Sequence, residues 1–480
     1  MKIQSQLPPA PPRLRSAAPN APAPQDYYVQ KSRDTDPAVA SGPHAPHPPA
    51  RAVAVGQRQV AFQAAQNGAP LFGIGGLIFP DSHGKIEHLA LQMGNVEFDK
   101  PLPQETHDGL LNVWDKLMHT MSPETHFTIV CADAKGEESV NHMVEEGRID
   151  PERVTVVGAH SEKGMSIWIR DSMLPVRNDQ SASKLLIQDR TYWPGPEDNQ
   201  ISPLLQAAHP EITAQNHPAL RIDGGNVLSN QKQTVVGSDS IRHTRERLQE
   251  LAQDPEKLIQ IEEFYRQASG QEPGQSMWED LPRLVFESEF QRPVLIVARD
   301  RQQPAFHIDM TLTPIGDSKF LVGDPSLAIE ALHQLTPEER AETNRTMSLQ
   351  AGITSGEDLI EKLIAANSSP EKQADYDATA RELAESGYEI QRIPALMGLR
   401  TTWSVPYLTY NNCMMENYSD QNGETVKKVY LPQYGCAALD KLAESIYQQN
   451  GFEVIPLEMG AISKLEGAIR CSSYAIKRQF

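Results

Sequence analysis

Apolar positions along this chain fall into short, β-branched runs separated by longer stretches with helical spacing. The runs FTIVCA (127–132), VTVVGA (154–159), KLLIQD (184–189), TVVGS (234–238), VLIVAR (294–299), KFLVGD (319–324), KVYLPQ (428–433) and FEVIPL (452–457) read as strands. Their brevity and branching at Cβ suit a pleated, half-buried backbone better than a buried helix. Between them, 108–121 and 437–450 carry helical periodicity, and polar stretches near 241–290 and 330–386 read as amphipathic helical insertions on the surface. Strands alternating with helices predict an α/β architecture.

A weak internal repeat accompanies this alternation. WIRDSMLPV, RIDGGNVLSN, FHIDMTLTPIGD and LEGAIRCSSYAI each end an outer-strand and helix unit with a strand that bears polar groups. Repetition around a centre would bring those polar groups together. By contrast, residues 1–57 are rich in Pro and Ala and poor in large apolar side chains. Such a segment buries too little surface to offset its ordering entropy, so a disordered tail is expected there, followed by one folded domain over 58–480. FGIGGLIFP, near residue 75, has neither the GxGxxG spacing nor a clear following helix. It is discounted as a dinucleotide site.

Composition narrows the function classes. The chain has 480 residues, 39% hydrophobic and 22% charged, with a formal net charge of −19. That charge argues against nucleic acid or an anionic membrane as the main partner, and is compatible with a cationic substrate. No apolar run is long enough to span a membrane, and MKIQSQLPPAPPRLRS has no secretory apolar region. The cytoplasm is therefore the default location, although non-classical export as an effector would leave no such mark. Cys131, Cys413, Cys436 and Cys471 show no zinc-binding spacing and are expected to be free thiols in a reducing compartment.

Four stretches could carry chemistry. Cys471, in EGAIRCSSY, follows the cationic Arg470, whose charge is expected to favour the thiolate. On its own, a lone cysteine is more often an inert small residue. His307 and Asp309, two apart in AFHIDMTL, would share one face of a strand, with Phe306, Ile308 and Met310 opposite. A hydrogen-bonded histidine at a core edge accounts for that stretch equally well. The charged pair Arg170–Asp171 in SIWIRDSMLP sits awkwardly for a core strand, and a structural ion pair is its simplest alternative. Asp223 precedes Gly224–Gly225, glycines that serve either a plain turn or the close approach of another group.

In order, WxRD, DGGN, HxD and a cysteine near the C-terminus resemble the pentein superfamily of guanidino-group modifying enzymes. That superfamily includes agmatine, arginine and peptidylarginine deiminases and amidinotransferases. WIRD, DGGN and FHIDMTLTPIG match its motifs, and YLPQYGCAALDKLAESI through LEGAIRC resembles its closing unit. The resemblance covers most of 70–475 and departs at the cysteine. The superfamily usually has G-G-G-x-H before it, where Gly467-Ala468-Ile469-Arg470 stand here; Asp223 takes a place more often held by glutamate.

The resemblance implies a five-bladed α/β propeller (the pentein fold) with the helical insertions. It implies Asp171 and Asp309 as a clamp for a cationic guanidino group, with Trp168 also at the substrate. Cys471 would be the nucleophile and His307 the proton carrier, oriented by Asp223. No metal or organic cofactor is required by this chemistry. A planar guanidinium suits paired carboxylates, because its N–H donors lie in a fixed fork.

The reaction so implied is hydrolysis of arginine, agmatine or protein arginine through an amidino-thioether, that is, a deiminase. Amidinotransfer from the same thioether and a non-catalytic binding protein are the alternatives. A papain-like protease fits less well, since its cysteine normally precedes its histidine. The Pro-rich tail and extra helices favour a larger or protein substrate, and the oligomeric state is left open.

Overall fold

The computed structural model describes residues 70–97, 100–177, 183–187, 197–354, 356–398 and 405–480. The expected tail over 1–57 lies outside them, as do the last two residues of the run at 184–189. Within the described residues the chain winds five mixed sheets of three or four strands, plus a short two-stranded ribbon.

One pattern recurs in all five sheets. A tight turn enters a strand, which pairs antiparallel with a second strand; one or more helices follow, then a third strand parallel to the second. Strand Leu174–Arg177 pairs with Ser183–Ile187, and that strand with Thr213–Asn216 after helix Ile201–Ala208. Val227–Ser229, Thr234–Gly237 and Val294–Val297 repeat the order, with helices Ser238–Leu251, Pro255–Ser269 and Met277–Phe290 inserted. In the next unit Leu312–Pro314, Lys319–Asp324 and Glu389–Leu396 enclose four helices between Pro325 and Glu385. Met414–Ser419, Thr425–Gln433 and Glu453–Glu458 follow with helix Ala437–Gln449.

The fifth sheet joins the two ends of the folded chain. Its entering strand, Ser473–Gln479, is the last in the sequence and pairs antiparallel with Lys85–Met93, the first long one. His126–Cys131 and Val154–Gly158 then extend it in parallel.

Local chemistry accounts for the inserted helices. Thr336 and Glu339 form a capping box, Pro337 opens the helix and Gly352 closes it in the left-handed conformation. Asp254 and Ser369 likewise cap helices that begin with proline. Each inserted helix turns a few large side chains inward, among them Leu281, Val285 and Phe286, and Tyr376 and Leu383.

The glycine-rich run near residue 75 has an internal anion to hold. Backbone N–H groups of Gly73, Ile74 and Gly75 donate to the carboxylate of Glu289 at 2.6, 3.1 and 2.6 Å. His217 approaches the same carboxylate at 3.2 Å. Burial opposes the charge, yet His217 and the loop N–H groups hold Glu289 below the usual carboxylate range. The loop is thus a nest for a protein carboxylate.

Candidate active site

The polar-bearing stretches are tight turns rather than strands. Ile169–Ser172, Gly224–Asn226 and Ile308–Met310 are each a single 3-10 turn, entered through Trp168, Asp223 and His307. His307 and Asp309 therefore do not stand side by side on a pleat. His307 is extended and Asp309 lies in the following turn, with strand character resuming only at Leu312. Ile308, Asp309 and Met310 are all fully buried, so the expected apolar and polar faces do not exist.

These turns pack on one another, and the glycines make that contact feasible. A Cβ on Gly224 would lie 2.1 Å from the Arg170 carbonyl oxygen, and one on Gly225 would lie 2.4 Å from His307 Nδ1. Asn226 ties the same turns, its Oδ1 accepting from the Ile308 N–H at 3.1 Å and from Gln303 Nε2 at 3.0 Å. The turn holding Cys471 joins them: Arg170 N–H donates to the Cys471 carbonyl at 3.2 Å, and Arg170 Nε to the Arg470 carbonyl at 2.6 Å. The Arg170 guanidinium stacks over Tyr474 at 3.9 Å.

The five residues expected to carry chemistry come together. His307 lies between two carboxylates, Nδ1 at 3.9 Å from Asp171 and Nε2 at 3.9 Å from Asp223. Cys471 Sγ is 3.7 Å from Asp309 Oδ2. Trp168 backs the cysteine turn: a Cβ on Gly467 would meet its ring at 2.5 Å, and its indole N–H donates to Glu97 at 3.1 Å. Burial pushes the Glu97 carboxyl well above its ordinary range, against the Trp168 hydrogen bond.

The expectation for Arg470 is overturned. Its guanidinium is held by carboxylates, Nη1 donating to Asp309 Oδ2 at 2.7 Å and Nη2 to Asp81 Oδ1 at 2.9 Å. Burial opposes the arginine's charge, but Asp81 and Asp309 raise its pKa above the ordinary value. The Cys471 thiol is pushed well above its usual range, first by burial and then by the Asp309 and Asp171 charges. Asn412 opposes that shift by donating to Sγ at 3.0 Å. With its pKa so raised, the cysteine rests as a thiol. Asp309 keeps one buried oxygen, Oδ1, with no hydrogen-bond partner among the described residues.

Asn412 and Asp81 were missed in the sequence. Asn412 Oδ1 also accepts from the N–H groups of Ala468 and Cys471, at 3.1 and 3.2 Å, so one side chain fixes both the backbone and the sulfur of the cysteine turn. It stands just before strand Met414–Ser419, at the place in its unit that DGGN holds in another. Extending the repeat to TYNNCMMENYS would have flagged it. Asp81 carries no such signal, since only the fold brings it to Arg470.

Fold and site together define an α/β protein whose turns converge cysteine, histidine and carboxylates from separate units. Its mixed α/β fold matches that of solved pentein structures. A structural-genomics target provisionally assigned as an agmatine deiminase matches with a TM-score of 0.52 at 12% identity, over 83% of this chain and 95% of that one. Agmatine deiminase of Enterococcus faecalis matches at 0.51 and 11% identity, over 83% and 95%. A target from Porphyromonas gingivalis provisionally assigned as an arginine deiminase matches at 0.50 and 15%, over 83% and 97%. No family model and no curated protein matches the sequence.

Proposed function

We propose that this protein is a cysteine-dependent enzyme acting on a guanidino group, and that its five repeated units are the blades of a propeller around that site. The observation that carries the reading is Cys471 beside Asp309, with His307 set between Asp171 and Asp223. Similarity of fold to agmatine and arginine deiminases supports it.

A substrate guanidinium would lie between Asp171 and the open oxygen of Asp309. Its positive charge offsets the Asp309 and Asp171 charges that add to burial in raising the Cys471 thiol, so substrate binding favours the thiolate, and the thiol proton passes to His307. The sulfur then attacks the guanidino carbon, forming an S–C bond and a tetrahedral centre. The C–N bond breaks as His307 gives its proton to the departing nitrogen, which leaves as ammonia. Water, deprotonated by His307, attacks the amidino-thioether; the S–C bond breaks and a ureido product leaves. If the alkyl-bearing nitrogen departs instead, the alkylamine is released, and an amine that takes the place of water receives the amidino group as a new guanidine; the reaction is then amidinotransfer.

The test is to incubate the protein with agmatine, free arginine and an arginine-containing protein, with and without glycine, while following ammonia, ureido product, released alkylamine and the guanidino derivative of glycine. Ammonia and ureido product without added amine establish hydrolysis. Turnover that requires glycine establishes transfer. Citrulline formed only in the protein would favour a protein substrate, and activity confined to the small molecules would exclude one.

One observation favours a second reading, a guanidino-binding protein without catalysis. Arg470 already donates to Asp309, and the cysteine is held as a thiol. Calorimetric binding of agmatine or arginine, with no product and no labelling of Cys471 by a haloacetamidine, would establish it.

A further inference from the structure

Three histidines far apart in sequence meet at the opposite end of the fifth sheet. His88 lies on strand Lys85–Met93, His126 begins strand His126–Cys131, and His209 follows helix Ile201–Ala208. His88 is opposite Lys477 on the last strand, whereas Ser473, next to the cysteine turn, is opposite Leu91. The cluster is thus separated along the strands from the candidate active site. Its ring centroids are 5.0, 4.6 and 5.8 Å apart, and one nitrogen from each ring lies within 4.8 Å of one from each of the others.

We propose that His88, His126 and His209 bind a divalent transition-metal ion of the zinc class, which clasps the fifth sheet to the helix of the neighbouring unit. Imidazole nitrogen is a preferred ligand for such ions, and three protein ligands leave a position for water or a carboxylate. At tetrahedral metal–nitrogen distances of about 2.0–2.1 Å, the widest nitrogen pair must close by up to roughly 1.5 Å. Rotation of partly exposed rings supplies a movement of that size, and His126 and His209 are only partly buried.

The protonation states suit a ligand set. Burial lowers all three pKa values, His88 to about 2, with neighbouring imidazoles adding to the shift at His88 and His126 and Glu211 opposing it at His126 and His209, so the rings are neutral at physiological pH. Neutral imidazole is the form that binds metal. Outer groups hold the rings as second partners do in metal sites. His126 Nε2 meets Thr155 Oγ1 at 2.9 Å, and His209 Nδ1 faces Glu211 at 3.7 Å. Lys477 and Arg153 are the nearby cations; Lys477 pairs with Glu87 at 3.0 Å, and Arg153 donates to three backbone carbonyls.

A metal-free explanation must also be met. Thr128 Oγ1 lies 2.7 Å from both His88 Nε2 and His209 Nε2. One hydroxyl has one hydrogen, so it donates to one ring and accepts from the other. The metal displaces this bridge, so removing the hydroxyl distinguishes the two accounts.

The experiment titrates Zn2+ into the metal-stripped full-length protein by calorimetry, with Mg2+ as control, and records thermal melts. We expect one Zn2+ per chain at this site, stabilisation by Zn2+ but not Mg2+, and loss of affinity by about tenfold or more in His126→Gln and in His209→Gln. Circular dichroism verifies that both variants fold. Thr128→Val should keep the Zn2+ site. His142→Gln, on the exposed acidic face with Glu137, Glu145 and His160, should not alter it. Zn2+ affinity and stabilisation unchanged in both histidine variants, loss of the site in Thr128→Val, or no Zn2+ binding at all would overturn the proposal.

Discussion

Arg470 spends its charge on carboxylates rather than on the neighbouring sulfur, and this arrangement sets the behaviour of Cys471. The thiol is raised by burial and by Asp309 and Asp171. Its alkylation rate in the substrate-free protein should therefore keep rising with pH beyond the range of an ordinary cysteine, measured with iodoacetamide against a Cys471→Ala control. The same Cys471→Ala change should abolish turnover of any guanidino substrate, and a surviving rate would sink the thioether mechanism. Arg470→Gln leaves Asp309 as a buried carboxylate without its guanidinium. Urea unfolding should register a loss of about 3–5 kcal/mol, as when one partner of a buried ion pair is removed. Gly225→Ala drives a methyl group against His307, whose Nδ1 would lie 2.4 Å away. This variant should lose activity through the displaced imidazole, with the pH profile of kcat distorted as well as lowered.

Among elements, the strands and long helices follow local rules, and the turns do not. The β-branched runs at 127–132, 319–324 and 428–433 all appear as strands, within a residue or a few of their sequence limits. The period-two reading failed at AFHIDMTL because its conformation is set from outside: Asn226 accepts from the Ile308 N–H, and Gly225 admits the imidazole. A single 3-10 turn has too few internal hydrogen bonds to leave a periodic mark. The glycine-rich loop is similar, since its purpose is visible only with Glu289 in place. Glu289→Gln removes the charge from those hydrogen bonds and should cost about 1.5–3 kcal/mol in urea unfolding.

At the scale of the whole molecule, the last strand pairs with the first long strand, so two distant parts of the chain share one sheet. Buried carboxyls then shape its pH response. Asp198 is pushed up to about 6, mainly by burial, although Ser166 and Gln92 donate to it. A carboxyl raised in the folded state keeps its proton after the unfolded chain has lost its own. Its contribution to stability is full below the unfolded pKa of about 3.9 and is lost as pH rises through about 6. Asp198→Asn should therefore gain stability relative to the parent as pH rises from 4 to 7, measured by urea midpoints. An unchanged difference across that range would remove Asp198 from the account.

The sequence by itself determined the alternation of strands and helices, the repeat, and the identities of Asp171, Asp223, His307, Asp309 and Cys471 as a set worth bringing together. Those features are written in local periodicity and in the order of short motifs. Only the tertiary structure decided that Arg470 faces Asp309 and Asp81, that Asn412 holds the sulfur, and that His88, His126 and His209 meet. Such contacts join positions tens to hundreds of residues apart, and their energies depend on burial and on which charge lies nearest. Neither quantity belongs to a residue until the chain has folded around it.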